Sequence, residues 1–289
     1  MSRFNWSPEI QFHPERLEEP LRLKQPCMIF TGSMTDLFHK DVPFKYIDQI
    51  MAVIAICQQH TFQVLTKRAD RMLEYFNRLS QDSVYSPSDF LKDAFFDSVY
   101  YRKTGERLEK KKDDSFDLWF DEITTLLECH AWPFPNLWLG VTAENQRWAD
   151  ERIPTLLQIP AAVRFMSLEP LLGEMQIAKY LSEYKFRQDY CNKQSCGGCV
   201  FPRGHNLVTD GPCLGSKNWT ENKNKVDWVI VGAETGPGRR ECKLEWVRSI
   251  VQQCQAAGVP CFVKQVEVNG KISHDPNEWP VDLRVRQWP

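Results

Sequence analysis

No apolar run in this 289-residue chain approaches the ~20 residues that a membrane-spanning helix needs. The opening MSRFNWSPEIQFHPERL carries no apolar core of a secretory signal. Both absences point to the cytoplasm and away from a membrane. There the ten cysteines stay reduced and read as buried residues, metal ligands or reactive thiols, not disulfide staples. An excess of positive charge is missing too. Lys and Arg number 36 against 38 Asp and Glu, a net charge of -2, which leaves room only for a local nucleic-acid patch. No Ser-His-Asp order, HExxH, P-loop or GxGxxG after an early strand occurs, and the six histidines form no ligand spacing. No single nucleophile stands out.

What is present belongs to a globular protein. The chain is 42% hydrophobic and 26% charged, which argues against wholesale disorder, and its length suits one large domain or two small ones. Ten tryptophans suit a thick core better than a base-stacking surface.

The chain repeats one plan: a short apolar run, a polar exit, then a helical stretch. The clearest unit is KVDWVIVGAETGPGRR, where Trp228–Val231 ends in the Gly-rich turn Gly232–Gly238, and a helix over Leu244–Ala257 is stopped by Gly258. Such a turn lets backbone N–H groups approach a ligand, and Glu234 adds a carboxylate at the strand end. Five more runs behave alike: Met28–Phe30, Thr61–Leu65, Leu137–Val141, Val163–Met166 and Cys261–Val263. Helices are expected over Pro43–Cys57 and Asp70–Leu79.

Six strands separated by helices predict an α/β fold with about six parallel strands, in a partial TIM-like (β/α) barrel forming one domain over 1–289. An open doubly wound sheet is the alternative. The exits bear Ser33 and Asp36; Lys67 and Arg68; Thr142 and Glu144; Ser167 and Glu169; Gly232 and Glu234; and Lys264 and Gln265. In a barrel these share one rim, as candidate cofactor- or substrate-binding residues. Three acids and three bases brought together are costly unless paired with each other or with a ligand. The tail after Glu267 is expected to wrap the outside of the barrel.

Two stretches interrupt the rhythm. Residues 80–135 show helical periodicity in pieces around the charged run Glu109–Asp114, read as a solvated face in preference to a phosphate contact. Residues 173–226 hold Cys191, Cys196, Cys199 and Cys213. A Cys-x2-Cys knuckle with two outlying thiolates fits tetrahedral zinc; iron–sulfur ligation and four unrelated cysteines are the other readings. Of the remaining cysteines, Cys27, Cys57 and Cys261 stand in apolar contexts and read as core.

The blocks IFTGSMTDLFHKDVP, HTFQVLTKRADRM, NLWLGVTAENQRWADERIP, AAVRFMSLEPLLG, DWVIVGAETGPGRR and AAGVPCFVKQ resemble, in order, an uncharacterised phage- and prophage-type family. It is a domain of unknown function also called the three-Cys-motif family. The resemblance implies a divergent radical-SAM-type barrel, with S-adenosylmethionine and a [4Fe–4S] centre held by an N-terminal cysteine cluster. No cysteine precedes Cys27 here, so the cluster ligands are missing. A truncated or split reading frame, a misplaced start and a true loss of the cluster are the three explanations, and a missing first strand would expose a sheet edge.

Three functions compete. One is a radical-SAM-like enzyme acting on nucleic acid in a mobile-element setting, with the rim holding cofactor and substrate. Another is a non-catalytic, zinc-stabilised module that binds nucleic acid or a mobile-element partner protein. The third is a non-functional remnant.

Overall fold

A computed structural model of the chain describes residues 10–32, 35–81, 133–182 and 224–289. Seven strands form one curled sheet, a half-barrel, in the order β1-β2-β3-β4-β5-β6-β7. They are β1 (Met28–Thr31), β2 (Thr61–Thr66), β3 (Leu137–Thr142), β4 (Val163–Leu168), β5 (Trp228–Gly232), β6 (Cys261–Val268) and β7 (Lys271–Ser273). The first six are parallel and β7 runs antiparallel to β6. Sequential strands are neighbours throughout, so right-handed crossovers put their helices on one face. The strand order never reverses, which removes the switch point that a doubly wound sheet requires.

The helices of the described residues are α1 (Glu19–Arg22), α2 (Phe44–Ile56), α3 (Ala69–Gln81), α4 (Gln146–Leu156), α5 (Ala178–Leu181) and α6 (Leu244–Ala257). Each of the longer ones forms for a local reason. In α2, Ile47, Met51 and Ile54 recur at helical spacing and are fully buried. Asn145 caps α4 by accepting the Trp148 N–H at 3.2 Å. In α6, Val247, Ile250, Val251 and Cys254 make the buried stripe, and Gly258 ends the helix at φ 64°.

Pairing register separates the two faces of the sheet. The convex face carries Phe62, Val64, Leu139, Val141, Met166, Val229, Val231 and Val263, all packed in the main core with the helices. The concave face carries Gln63, Trp138, Gly140, Phe165, Trp228, Ile230 and Phe262. Trp228 is the hub of an aromatic floor there. Its ring meets Trp138 at 5.9 Å, Phe165 at 5.8 Å, Phe262 at 6.2 Å and Trp288 at 4.7 Å, and its Nε1–H donates to the Gln287 carbonyl at 2.9 Å. Gly140 makes room for this floor: a Cβ there would stand 2.4 Å from the Phe165 ring.

Several expectations need correction. The sheet has a seventh strand, because β6 continues past Val263 to Val268 and doubles back through Asn269 and Gly270, both at positive φ. The tail wraps the outside only in part: residues 281–283 lie against α6, where Arg248 Nε meets Asp282 at 2.5 Å. Residues 285–287 bond along β6, through Val263 N–H to the Val285 carbonyl (2.8 Å) and Gln287 N–H to the Cys261 carbonyl (2.9 Å). That pairing covers the sheet edge and lays Trp288 on the concave floor. The ends of the Cys-rich stretch belong to the folded body: Tyr180, Leu181 and Val226 are buried, and Val226 N–H donates to the Tyr180 carbonyl at 2.8 Å. At the other end of the sheet, β1 is the edge strand among the described residues, with Met28 and Phe30 exposed. The run Glu109–Asp114 lies outside the described residues.

Candidate functional site at the strand exits

The parallel strands deliver their polar exits to one rim above the aromatic floor, and the charges there are paired. Lys67, leaving β2, reaches Glu144, leaving β3, with Nζ 2.5 Å from Oε1. The other Glu144 oxygen accepts from Arg152 Nη1 at 3.0 Å. Arg152 comes back from α4, also donates to the Thr142 carbonyl at 2.7 Å, and lies 4.2 Å from the centre of the Trp148 ring. Burial raises the Glu144 carboxyl. The hydrogen bond from Lys67, a backbone hydrogen bond and the charges of Lys67 and Arg152 outweigh burial and hold it below the usual carboxylate range.

Glu169, leaving β4, is met by Lys264 Nζ at 3.0 Å to both oxygens and by Gln265 Nε2 at 2.7 Å. Gln265 also donates to the Ala233 carbonyl at 2.6 Å, which fixes the amide. Gly232 permits this approach, since a Cβ there would stand 2.9 Å from Gln265 Nε2. The chain after Glu169 ties neighbouring exits together: Leu171 N–H donates to the Gly232 carbonyl and Leu172 N–H to that of Glu144.

Glu234 takes no partner from the other expected rim residues. It is clamped by Arg240, through the backbone N–H and Nε at 2.8 Å and Nη2 at 2.6 Å. Those bonds push its carboxyl down to about 2. Arg240 is raised in turn, first by the hydrogen bond with Glu234, against desolvation, and then by the charges of Glu234 and Glu144, which sets the β5 loop beside the β3 exit. Asp36 is saturated by Thr66 Oγ1 (2.7 Å), Phe38 N–H (3.0 Å), Lys67 N–H (3.2 Å) and Arg68 Nη1 (2.6 Å), and so ties the loop after β1 to the β2 exit.

In the Lys67–Glu144 and Lys264–Glu169 pairs the acid is inside and the base outside, whereas Arg152, the second partner of Glu144, is as buried as the acid. Side-chain exposure is 11% for Glu144 against 54% for Lys67, and 22% for Glu169 against 51% for Lys264. The rim therefore offers inward carboxylates, capped by basic heads on flexible stems that reach into solvent. A ligand with ammonium or hydroxyl groups would meet the acids, and its carboxylate or phosphate would meet the displaced lysines.

The chain matches the model of the family described as Protein of unknown function (DUF5131) over residues 2–277. It belongs to that family. No curated protein and no solved structure matches it. In this DUF5131 chain the structure brings together Lys67, Thr142, Glu144, Glu169, Gly232, Lys264 and Gln265, and sets Asp36 with Arg68 in a pair of their own. Sequence reasoning missed Arg152 and Arg240. Arg240 had a signal, as the second arginine of GPGRR; Arg152, eight residues past Glu144, had none until the helix was laid back on the sheet.

Ser33 and the four cysteines Cys191, Cys196, Cys199 and Cys213 lie outside the described residues. Among the described residues no group of three His, Cys, Asp or Glu is placed to hold a metal, and no helix is long and apolar enough to cross a membrane. Cys57, Cys242, Cys254 and Cys261 are buried; burial pushes the Cys57 and Cys242 thiols up to about 12. Cys27, expected in the core, is partly exposed.

Proposed function

We propose that the concave rim binds a zwitterionic, nucleoside-bearing small molecule of the S-adenosylmethionine type, and that the chain is the ligand-binding barrel of an enzyme acting on nucleic acid in a mobile-element setting. The observation that supports this most is the acid-inside, base-outside rim over an aromatic floor. Glu144 and Glu169 would take ammonium and ribose hydroxyls, Lys67 and Lys264 the ligand carboxylate, and the Gly232–Gly238 turn would let backbone approach the nucleoside. The phage setting and the radical-SAM chemistry rest on the family resemblance.

A [4Fe–4S] centre needs converging thiolates, and the described cysteines do not provide them: Cys57, Cys242, Cys254 and Cys261 are buried, and among the described residues no group of three His, Cys, Asp or Glu is placed to hold a metal. No step is therefore derived through a cluster. What these residues do is bind and orient.

The test is calorimetric titration of the chain with S-adenosylmethionine and S-adenosylhomocysteine. Binding is expected, with a loss of about tenfold or more in Lys67→Glu and in Glu169→Gln at an unchanged melting temperature. No heat at about 1 mM ligand, or equal affinity in both variants, overturns the reading.

A further inference from the structure

A second set of reactive groups lies at the opposite, N-terminal end of the strands. Cys27 sits just before β1, and Thr61 N–H donates to its carbonyl at 3.0 Å, so the β1–β2 ladder already includes it. Its Sγ is 3.5 Å from His60 Nδ1. His60 is 1% exposed and its ring is fixed on both sides. Nε2 lies 3.0 Å from the Pro20 carbonyl, which can only accept, so Nε2 carries the hydrogen. Nδ1 is then the basic nitrogen; it accepts the Cys27 backbone N–H at 3.3 Å and faces the thiol. Gln59 Nε2 also lies 3.3 Å from His60 Nε2, and turning that carboxamide over would let its oxygen accept the same N–H. The Phe62 ring packs edge-on to the imidazole at 6.3 Å. This is a nucleophile, a base in hydrogen-bond reach of it, and a third group that orients the base.

Beside it lies a cavity of about 460 Å³ between the N-terminal segment, β1 and α2, walled by Leu17, Pro20, Ile29, Ile50, Val53 and Phe62. Gln11, His13, Arg16 and Glu19 give the cavity a polar side. Cys27 falls on the same face of the strand as Ile29, two residues on, and so lies just beyond the apolar part of the lining. Pro20, which orients His60, is part of that wall.

We propose that Cys27, with His60 as its base, is a covalent modification site for a soft electrophile bearing an apolar chain, of the α,β-unsaturated aldehyde class. The thiol hydrogen passes to His60 Nδ1. The sulfur pair forms the S–C bond at the β-carbon while the C=C π pair moves to the α-carbon, which takes the proton back from His60. Nothing is oxidised, reduced or expelled, and the alkyl chain lies along the cavity. This site is separate from the rim and does not depend on what the rim binds.

The experiment treats the full chain with 2-nonenal and, in parallel, with acrylamide, and follows the Cys27 peptide by mass spectrometry. The ratio of the nonenal rate to the acrylamide rate at Cys27 is expected to exceed the same ratio for glutathione by about tenfold, because only the chain-bearing electrophile gains from the cavity. Val53→Trp, which fills the cavity, should lower that ratio and leave the acrylamide rate unchanged. His60→Gln should slow both reagents by about tenfold or more. Because His60 is buried, its variant is read only where its melting curve matches the parent. Where it does not, the parent chain in urea replaces it, and its ratio must collapse to the glutathione value. An unmodified Cys27 in the folded chain, a ratio equal to that of glutathione, or a folded His60→Gln chain that reacts as fast as the parent overturns the proposal.

Discussion

Gly140→Ala is the sharpest test of the concave floor. The added methyl would stand 2.4 Å from two atoms of the Phe165 ring and 2.7 Å from a third, about 1 Å inside ordinary contact. Phe165 is fully buried, and its ring already meets Trp228 at 5.8 Å, so it has nowhere to retreat. Overpacking of this kind costs about 1–3 kcal/mol. Replacing a strand glycine returns about 0.5–1 kcal/mol, which leaves a net loss near 1.5 kcal/mol. With an m-value of about 3 kcal/mol/M, the urea midpoint should fall by about 0.5 M at unchanged slope. Phe165→Leu alone should also destabilise, by less than the 3–5 kcal/mol of a Phe→Ala change. In the double variant the two losses should fail to add by about 1 kcal/mol or more, because the smaller side chain makes room for the methyl. A Gly140→Ala chain as stable as the parent, or strict additivity in the cycle, would refute the packing of Phe165 against Gly140.

Three further outcomes are expected. Glu144→Gln should destabilise by about 3 kcal/mol, since it leaves the nearly buried Arg152 without its counter-charge. The folded Glu144 carboxyl is lowered, so its contribution is complete above the ordinary carboxylate value of about 4.3 and is lost as pH falls through the lower folded value. The stability gap between parent and variant should therefore be flat near neutrality and close only in acid; a gap that widens in acid contradicts the pairing. Carbon-detected NMR should find Glu234 titrating near 2, rising into the ordinary range in Arg240→Gln; an unchanged titration would mean that Arg240 is not the cause. Finally, purification without oxygen should yield about one zinc per chain and no visible absorbance if Cys191, Cys196, Cys199 and Cys213 form a structural site; iron with sulfide would put a cluster there instead.

All six parallel strands were legible because each is a run of β-branched and aromatic residues bounded by turn formers, and the helices between them implied a parallel sheet, whose sequential order the structure supplies. What was not read was the continuation of β6. Lys264-Gln265-Val266-Glu267-Val268 alternates less cleanly than a half-buried strand, yet Asn269-Gly270 behind it is a strong two-residue hairpin signal. Strand-exit positions identified the rim as a set, since parallel strands must deliver their ends to one side. Pairing within the set was not legible, because it depends on strand stagger and on helices folding back. Arg152 reaches Glu144 only through α4, and Cys27 meets His60 only because β1 and β2 are neighbours.

The partners of the rim acids sort them into two kinds. Asp36 is held by four donors, one at the end of β2, and Glu234 by three from a single arginine; freeing either would unfasten the chain around it. Glu144 and Glu169 each combine one fixed partner with one mobile one. Arg152 and Gln265 are buried and hold the carboxylates in place, while Lys67 and Lys264 approach from solvent on flexible stems. A ligand cation can replace either lysine without turning the carboxylate, at the cost of a half-exposed ion pair worth about 0–1 kcal/mol. The freed ammonium stays within reach of any anionic group on the same ligand. On the proposed reading, exchange at β2–β3 and at β4–β6, across the aromatic floor between them, would select a ligand with separated positive and negative groups over a simple anion. Variants at Lys67, Glu169 and Lys264 should accordingly change affinity, those at Asp36 and Glu234 should change stability first, and Glu144→Gln should change both.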